Sequence, residues 1–143
     1  MKIKKLNAKA VIPTRGSESA AGYDLYACSD EPIRIGPHET VMINTGIAIA
    51  IPEGDFGAIF ARSGLASKKG LRPANAVGVI DADYRGEIIV ALHNDTKHCQ
   101  EVVENERIAQ MVFIPFMAAQ FEETEELPGT KRGTGGFGST GTT

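Results

Sequence analysis

Apolar residues recur at every second position along much of this chain, and Gly, Pro, Asn or Asp interrupts the alternation at short intervals. Alternation of this kind places successive side chains on opposite faces of an extended strand, which a helix-forming stretch does not do. Val41, Ile43, Ile47, Ile49 and Ile51 share one parity and end at the turn residues Pro52, Gly54 and Asp55. Phe56, Ala58 and Phe60 predict a short strand, and Ile88, Val90 and Leu92 another, after a turn built on Asp83, Tyr84, Arg85 and Gly86. Ile108, Val112 and Ile114 predict a further strand that Pro115 stops. Further breakers stand at Gly36 and Pro37, at Gly46, and at Asn94 and Asp95. Short strands so punctuated predict an all-β fold, an antiparallel sandwich, jelly roll or barrel. One segment reads as a helix, residues 65–69, with Ser63 as N-cap and Gly70 as its stop. At 143 residues the chain is sized for one domain.

The formal net charge of -3 offers no bulk attraction for nucleic acid or an anionic membrane, so any phosphate binding must be local. Cys28 and Cys99 lie far apart, in neither a CxxC nor a zinc spacing, which predicts free thiols in a reducing compartment. The basic start MKIKKLNAKAVIP is not followed by the apolar run of a signal peptide, and no stretch approaches the ~20 apolar residues of a membrane span. The expectation is a cytoplasmic protein with no membrane partner. His93, His98 and Cys99 match no metal-site spacing and read as surface or packing residues.

Residues 131–143, KRGTGGFGSTGTT, carry one aromatic and two cations in a run of glycine and hydroxyl residues. Such a segment cannot offset its ordering entropy by burial, so it is expected to be mobile until an anion organises it. Two readings stand side by side: a glycine-rich tail without a ligand, and a phosphate clamp. The clamp would use backbone N–H groups around Gly133, Gly135, Gly136 and Gly138, the hydroxyls of Ser139 and Thr140, and the Arg132 guanidinium, with Phe137 free to cover a base. The acidic run Glu122, Glu123, Glu125 and Glu126, followed by Pro128 and Gly129, reads as a linker. The expected division is a β core over residues 1–121 and a linker with mobile arm over residues 122–143. A second phosphate candidate is the start of the short helix, beside Arg62 and Ser63.

Residues 78–87, GVIDADYRGE, place Asp81 at the end of an apolar strand and Tyr84 three residues later, in or beside a hairpin turn. A carboxylate there can be aimed at a water while a nearby ring walls a pocket. Taken singly, Asp81 also reads as a turn residue capping backbone N–H groups, and Tyr84 as a core ring. Taken with four other segments, the stretch resembles the trimeric dUTPases. AGYDLYA at 21–27 resembles the first motif of that family, ARSGLA at 61–66 the second, and GVIDADYRGEI at 78–88 the third. NERIAQMVF at 105–113 is similar to the fourth, and RGTGGFGSTG at 132–141 to the fifth. The order, the spacing and the total length match, and the resemblance covers essentially the whole chain.

The resemblance implies a jelly-roll or barrel-like dUTPase fold with one short helix and a flexible glycine-rich arm. It implies hydrolysis of dUTP to dUMP and pyrophosphate, which keeps uracil out of DNA and supplies dUMP for dTMP synthesis. Asp81 matches the carboxylate that orients and deprotonates the attacking water, a plausible base near a desolvated pocket. Tyr84 matches the ring under deoxyribose that leaves no room for a 2′-hydroxyl. The segment from Asn75 through Gly78, Val79 and Ile80 to Ile89 matches the uracil pocket, where rejection of the thymine methyl must come from steric clash. Arg62, Ser63 and Gly64 match phosphate-holding residues, and Gln110 a second phosphate contact; Arg107 either buttresses or touches ligand. Asp24 matches a carboxylate that reaches Mg2+ through coordinated waters, as suits a cation that dehydrates reluctantly. Arg132, Gly138, Ser139 and Thr140 would grip the γ-phosphate while Phe137 closes over uracil.

The family pattern also implies a homotrimer with shared sites: one subunit supplying Arg62, Ser63 and Gln110, the second Asp81 and Tyr84, the third its arm. Two alternatives stay open, a dCTP deaminase-like enzyme and a dUTP-sensing regulatory protein. Neither a GxxxxGK[ST] loop nor a GxGxxG between strand and helix is present. Asn105 stands where many relatives carry glycine, so the turn into that strand is expected to differ in backbone conformation.

Overall fold

A computed structural model describes residues 1–136. Among the described residues there are twelve strands and one helix: β1 (Lys2–Lys5), β2 (Thr14–Arg15), β3 (Tyr23–Tyr26), β4 (Ile33–Ile35), β5 (Thr40–Asn44), β6 (Ile47–Ala50), β7 (Asp55–Phe60), α1 (Ser63–Lys69), β8 (Leu71–Pro73), β9 (Gly78–Ile80), β10 (Ile89–Asn94), β11 (Gln100–Val102) and β12 (Arg107–Pro115). They pair in four sheets, in the orders β2-β3-β12-β7-β9, β5-β10-β8, β1-β6 and β4-β11. All the pairings are antiparallel. This is the mostly β, jelly-roll-like architecture expected from the period-two pattern.

The core is built almost entirely of aliphatic residues, with Leu25, Ile35, Ile43, Leu71, Leu92, Val102 and Ile108 fully shielded from solvent. Burial of this size is the main force holding short strands together, since two-stranded ribbons such as β4-β11 are marginal alone. The run from Val41 to Ile51 keeps its parity but is divided between two sheets. Between β5 and β6 the chain turns at Gly46, at φ 67°. An added Cβ there would lie 2.8 Å from the Ala10 Cβ and 2.9 Å from the Cys28 Sγ, so the turn demands glycine on both counts. Beside it, the buried Thr45 hydroxyl donates to the Ile88 carbonyl at 2.5 Å.

The parity expected for Ile108, Val112 and Ile114 does not hold. The register of β12 against β3 shifts between Arg107 and Ala109, a bulge that leaves Ile108 as the extra residue. Ile108, Ala109 and Met111 are therefore the buried set, while Val112 and Ile114 are only half-buried. The turn into this strand also departs from expectation. Asn105 takes up a left-handed conformation at φ 61° and donates its N–H to the Ala27 carbonyl at 2.9 Å, so it adopts the backbone that glycine would.

The helix starts earlier than its sequence suggests. Ser63 is its first residue, and the N-cap position belongs to Arg62, which is extended and gives no side-chain cap because a guanidinium has no acceptor to offer the helix N–H groups. Gly70 ends it as expected, at φ 63°, with its N–H returned to the Ala66 and Leu65 carbonyls. No helix among the described residues is long and apolar enough to cross a membrane. After β12 the chain keeps one more anchor, the Phe116 N–H donating to the Gly54 carbonyl at 2.9 Å. Residues 117–134 are then exposed throughout, including Met117, Phe121 and Leu127.

One buried polar side chain ties several loops together. The Asn94 amide donates to the carbonyls of Ile35, Gly36 and His98 at 3.1, 3.0 and 2.8 Å, and its oxygen accepts from the Thr96 N–H and hydroxyl at 2.9 and 2.8 Å. Removing it orphans several groups in a dry site, which is costlier than losing the bonds themselves. Asn94→Ala is expected to cost roughly 3 kcal/mol of stability, measured as a lower urea midpoint at fixed protein concentration.

Candidate active site

Two clusters of predicted residues emerge, the first on the five-stranded sheet and the second where that sheet parts from the three-stranded one. In the first, Asp24 on β3 lies directly opposite Gln110 on β12. Because the bulge has reset the phase of β12, Arg107 and Gln110 fall on the same face of the sheet as Asp24. The Asp24 side chain is only 10% exposed, yet each oxygen is paired: Oδ1 accepts from Arg62 Nε at 2.7 Å and Oδ2 from Arg107 Nη1 at 3.2 Å. Gln110 donates from Nε2 to the Ala61 carbonyl at 2.9 Å and so braces the segment that carries Arg62. Together with Gly16, Ala20, Gly22, Ser63 and Gly64 these residues line a polar cleft of about 200 Å³. Two guanidiniums against one carboxylate leave a net positive charge facing the cleft, with further N–H groups of both arginines free to bind. That is the electrostatic demand of a phosphate chain.

The second cluster lies between β9 and β10. Asn75, Gly78, Val79, Ile80 and Ile89 line a cleft of about 210 Å³ whose other walls are Met42, Ile59, Pro73, Val90 and Ala91. The strand expected to make a hairpin here does not. β9 pairs with β7 while β10 pairs with β5 and β8, so residues 81–88 cross from one sheet to another and the cleft sits where the sheets part. Gly78 is buried because a Cβ would lie 3.2 Å from the Ile59 Cβ and 3.4 Å from the Asn75 amide nitrogen. Asn75 is presented by a tight turn in which Ala76 takes φ 61°, a costly conformation for a residue with a side chain.

Asp81 follows the last residue of β9 and is exposed, as a strand-end carboxylate should be. Its carbonyl accepts the Tyr84 N–H at 3.2 Å, which closes the turn and brings both side chains to one adjoining cleft with Met42, Val79, Ile80, Glu87 and Ile89. Tyr84 is 42% exposed, so it is not a core ring. Its hydroxyl donates to the Glu87 carbonyl at 2.9 Å.

Asp81, Tyr84 and the Asn75 to Ile89 residues thus come together, and Asp24, Arg62, Ser63, Gly64 and Gln110 come together, but the two cleft linings share no residue. Arg132 is exposed and donates from Nε to the Gly135 carbonyl at 2.8 Å. Phe137, Gly138, Ser139 and Thr140 lie outside the described residues. The fold adds residues that sequence reasoning did not assign. Met42 lines both nucleoside-sized clefts, and its one legible signal is a large apolar residue on the polar face of β5. Glu87 accepts from the Gly46 N–H at 2.7 Å and the Asn44 amide at 3.3 Å, a partnership nothing local in the sequence announces.

A sequence model of the dUTPase family matches residues 8–141. The chain belongs to the dUTPase family. It is 51% identical to a deoxyuridine 5'-triphosphate nucleotidohydrolase of Desulfitobacterium hafniense, an alignment covering 91% of this chain and 87% of that protein. It is 48% identical to the corresponding protein of Nautilia profundicola, over 99% and 98% of the two chains. Among solved structures, the dUTPase of Staphylococcus bacteriophage 80alpha with dUpNHpp superposes with a TM-score of 0.90 at 30% identity, covering 99% of this chain and 98% of that one. Family membership makes this chain an enzyme that hydrolyses dUTP.

Asp24→Ala leaves Arg62 and Arg107 facing each other without a counter-charge. Their partial exposure lets water relieve some of that cost. The variant is expected to lose about 2 kcal/mol of stability, read as a shifted urea midpoint, and to fall in kcat/KM for dUTP.

Proposed function

We propose that hydrolysis of dUTP takes place in a site assembled from the two clefts and the C-terminal arm, with Asp81 as the base and pyrophosphate and dUMP as the products. The observation that carries this reading is the exposed Asp81 carboxylate set at the end of β9, on the rim of a cleft lined by Tyr84 and by the residues around Gly78. Uracil lies against Asn75, Gly78, Val79, Ile80 and Ile89, where main-chain groups read its edge and close walls exclude a 5-methyl group. The Tyr84 ring lies under the sugar and leaves no space for a 2′-hydroxyl. Arg62, Ser63, Gly64 and Gln110 hold phosphate oxygens, and Arg107 acts first as a buttress through its bond to Asp24. Arg132, Gly138, Ser139 and Thr140 grip the γ-phosphate while Phe137 covers the base.

Asp81 removes a proton from a water aligned with the α-phosphorus. The water oxygen forms the new P–O bond, the bond from the α-phosphorus to the bridging oxygen breaks, and pyrophosphate leaves with the electron pair. Positioning and charge stabilisation supply most of the acceleration in such a step.

The donor set around Asp24 fits Mg2+ bound largely by phosphate and water. Each Asp24 oxygen accepts one arginine bond, so lone pairs remain for a coordinated water, and magnesium held by a triphosphate needs no cage of protein ligands. When bound, Mg2+ neutralises charge on the triphosphate.

A homotrimer with shared sites accounts for the separation of the clefts within one chain. One subunit contributes Arg62, Ser63 and Gln110, a second Asp81 and Tyr84, and a third its arm. Support comes from the disjoint linings and from Met117, Phe121 and Leu127, more than four-fifths exposed on a segment leaving the barrel, as residues buried only by a neighbour would be. The cytoplasm suits the chemistry: Cys28 and Cys99 are free, and burial pushes the Cys28 thiol up, away from the reactive thiolate.

The test is pyrophosphate release from dUTP, dTTP, dCTP and UTP, with and without magnesium. Turnover is expected with dUTP and magnesium only; ammonia from dCTP would turn the reading to a deaminase. Asp81→Asn is expected to lower kcat by a factor of about 10² to 10⁴ with dUTP binding retained, and wild-type turnover in that variant would remove Asp81 from its role. Mixed trimers of Asp81→Asn chains and chains lacking residues 131–143 are expected to regain activity that neither parent shows.

A further inference from the structure

The Tyr84 ring is held from two sides. Its hydroxyl is tied to the Glu87 carbonyl at 2.9 Å, and Glu87 is itself tethered through its carboxylate to the Gly46 N–H at 2.7 Å and the Asn44 amide at 3.3 Å. Beneath the ring lies Gly86. A Cβ on Gly86 would meet the Tyr84 hydroxyl and would stand 2.6 Å from the ring's Cζ and 3.0 Å from its Cε2, well inside the 3.4 to 4 Å of ordinary contact. The obstacle is the ring and not the backbone, because Gly86 is not among the residues of positive φ. Tyr84 and Glu87 line the cleft beside Asp81, and Gly86 is not part of that lining.

We infer that Gly86 is a positioning residue for substrate selection: the missing side chain lets the Tyr84 ring sink against the backbone, and that depth sets the height of the slot for deoxyribose. This rests on the reading of Tyr84 as the wall under the sugar. A methyl group at position 86 displaces the hydroxyl end of the ring, the end tied to the Glu87 carbonyl, and the rigid ring tilts into the slot. The loss falls on binding more than on chemistry, since Asp81 and the phosphate-holding residues keep their places.

Gly86→Ala, Tyr84→Ala and the double variant, each as the full chain, test this by steady-state kinetics with dUTP and UTP. Gly86→Ala is expected to raise KM for dUTP about tenfold or more with kcat within about threefold of wild type. In the Tyr84→Ala background, which is expected to relax the preference for dUTP over UTP, adding Gly86→Ala should change nothing further. A wild-type KM in Gly86→Ala, or the same penalty with and without the ring, would overturn the inference. If Gly86→Ala does not fold, recovery of folding in the double variant supports the ring as the obstacle, and failure of the double variant to fold overturns it. An unchanged KM and unchanged preference in Tyr84→Ala alone would remove the sugar-wall reading and take this inference with it.

Discussion

The active-site face of this barrel depends on one irregularity in its longest strand. β12 is paired along both edges, to β3 and to β7, so its phase fixes what both neighbours present. With one residue too many at Ile108, both Ile108 and Ala109 enter the core. Arg107 and Gln110, three residues apart and therefore on opposite faces of a regular strand, then share a face. Only in that arrangement does Asp24, opposite Gln110, receive Arg107 on one oxygen and Arg62 on the other. The apolar core and the polar cleft are consequences of the same shift.

Asp24 decides the electrostatics of that cleft. Left alone, a carboxylate so little exposed would be costly, and two guanidiniums so close would repel. Each resolves the other's problem, and one positive charge is left over at the cleft. Gln110 extends the same logic to neutral groups, spending its N–H on the Ala61 carbonyl and so steadying the strand end from which Arg62 departs. In the cleft between β9 and β10, close packing takes over from charge. Gly78 lies against Ile59, and Gly86 beneath Tyr84, each where a methyl group would intrude. Bare backbone at both positions lets neighbouring side chains pack closer than a methyl group would allow.

Much of this was legible beforehand, and the exceptions have physical causes. The mostly β class and the glycine stop of the helix follow from local pattern, which turn chemistry and side-chain alternation write directly into a sequence. The parity of Val112 and Ile114 was misread because a bulge is a property of two paired strands and leaves no mark on one. The hairpin anticipated around Asp81 failed for a similar reason, since adjacent strands can each find a better partner in another sheet. The helix begins one residue earlier than a Ser63 cap implies, with extended Arg62 at the cap and bonded to Asp24, and Asn105 adopted the glycine conformation that its side chain tolerates. Glu87, bonded across 41 positions to Gly46, had no local signature to read.

By itself, then, the order of residues determined the mostly β class, which side chains are available for chemistry, and to which family the chain belongs, because those depend on composition and spacing along a single line. Tertiary structure alone decided which of those side chains face one another. Face, partner and burial are set by strand pairing between distant segments, and a linear pattern with period two cannot say where an extra residue will flip the phase.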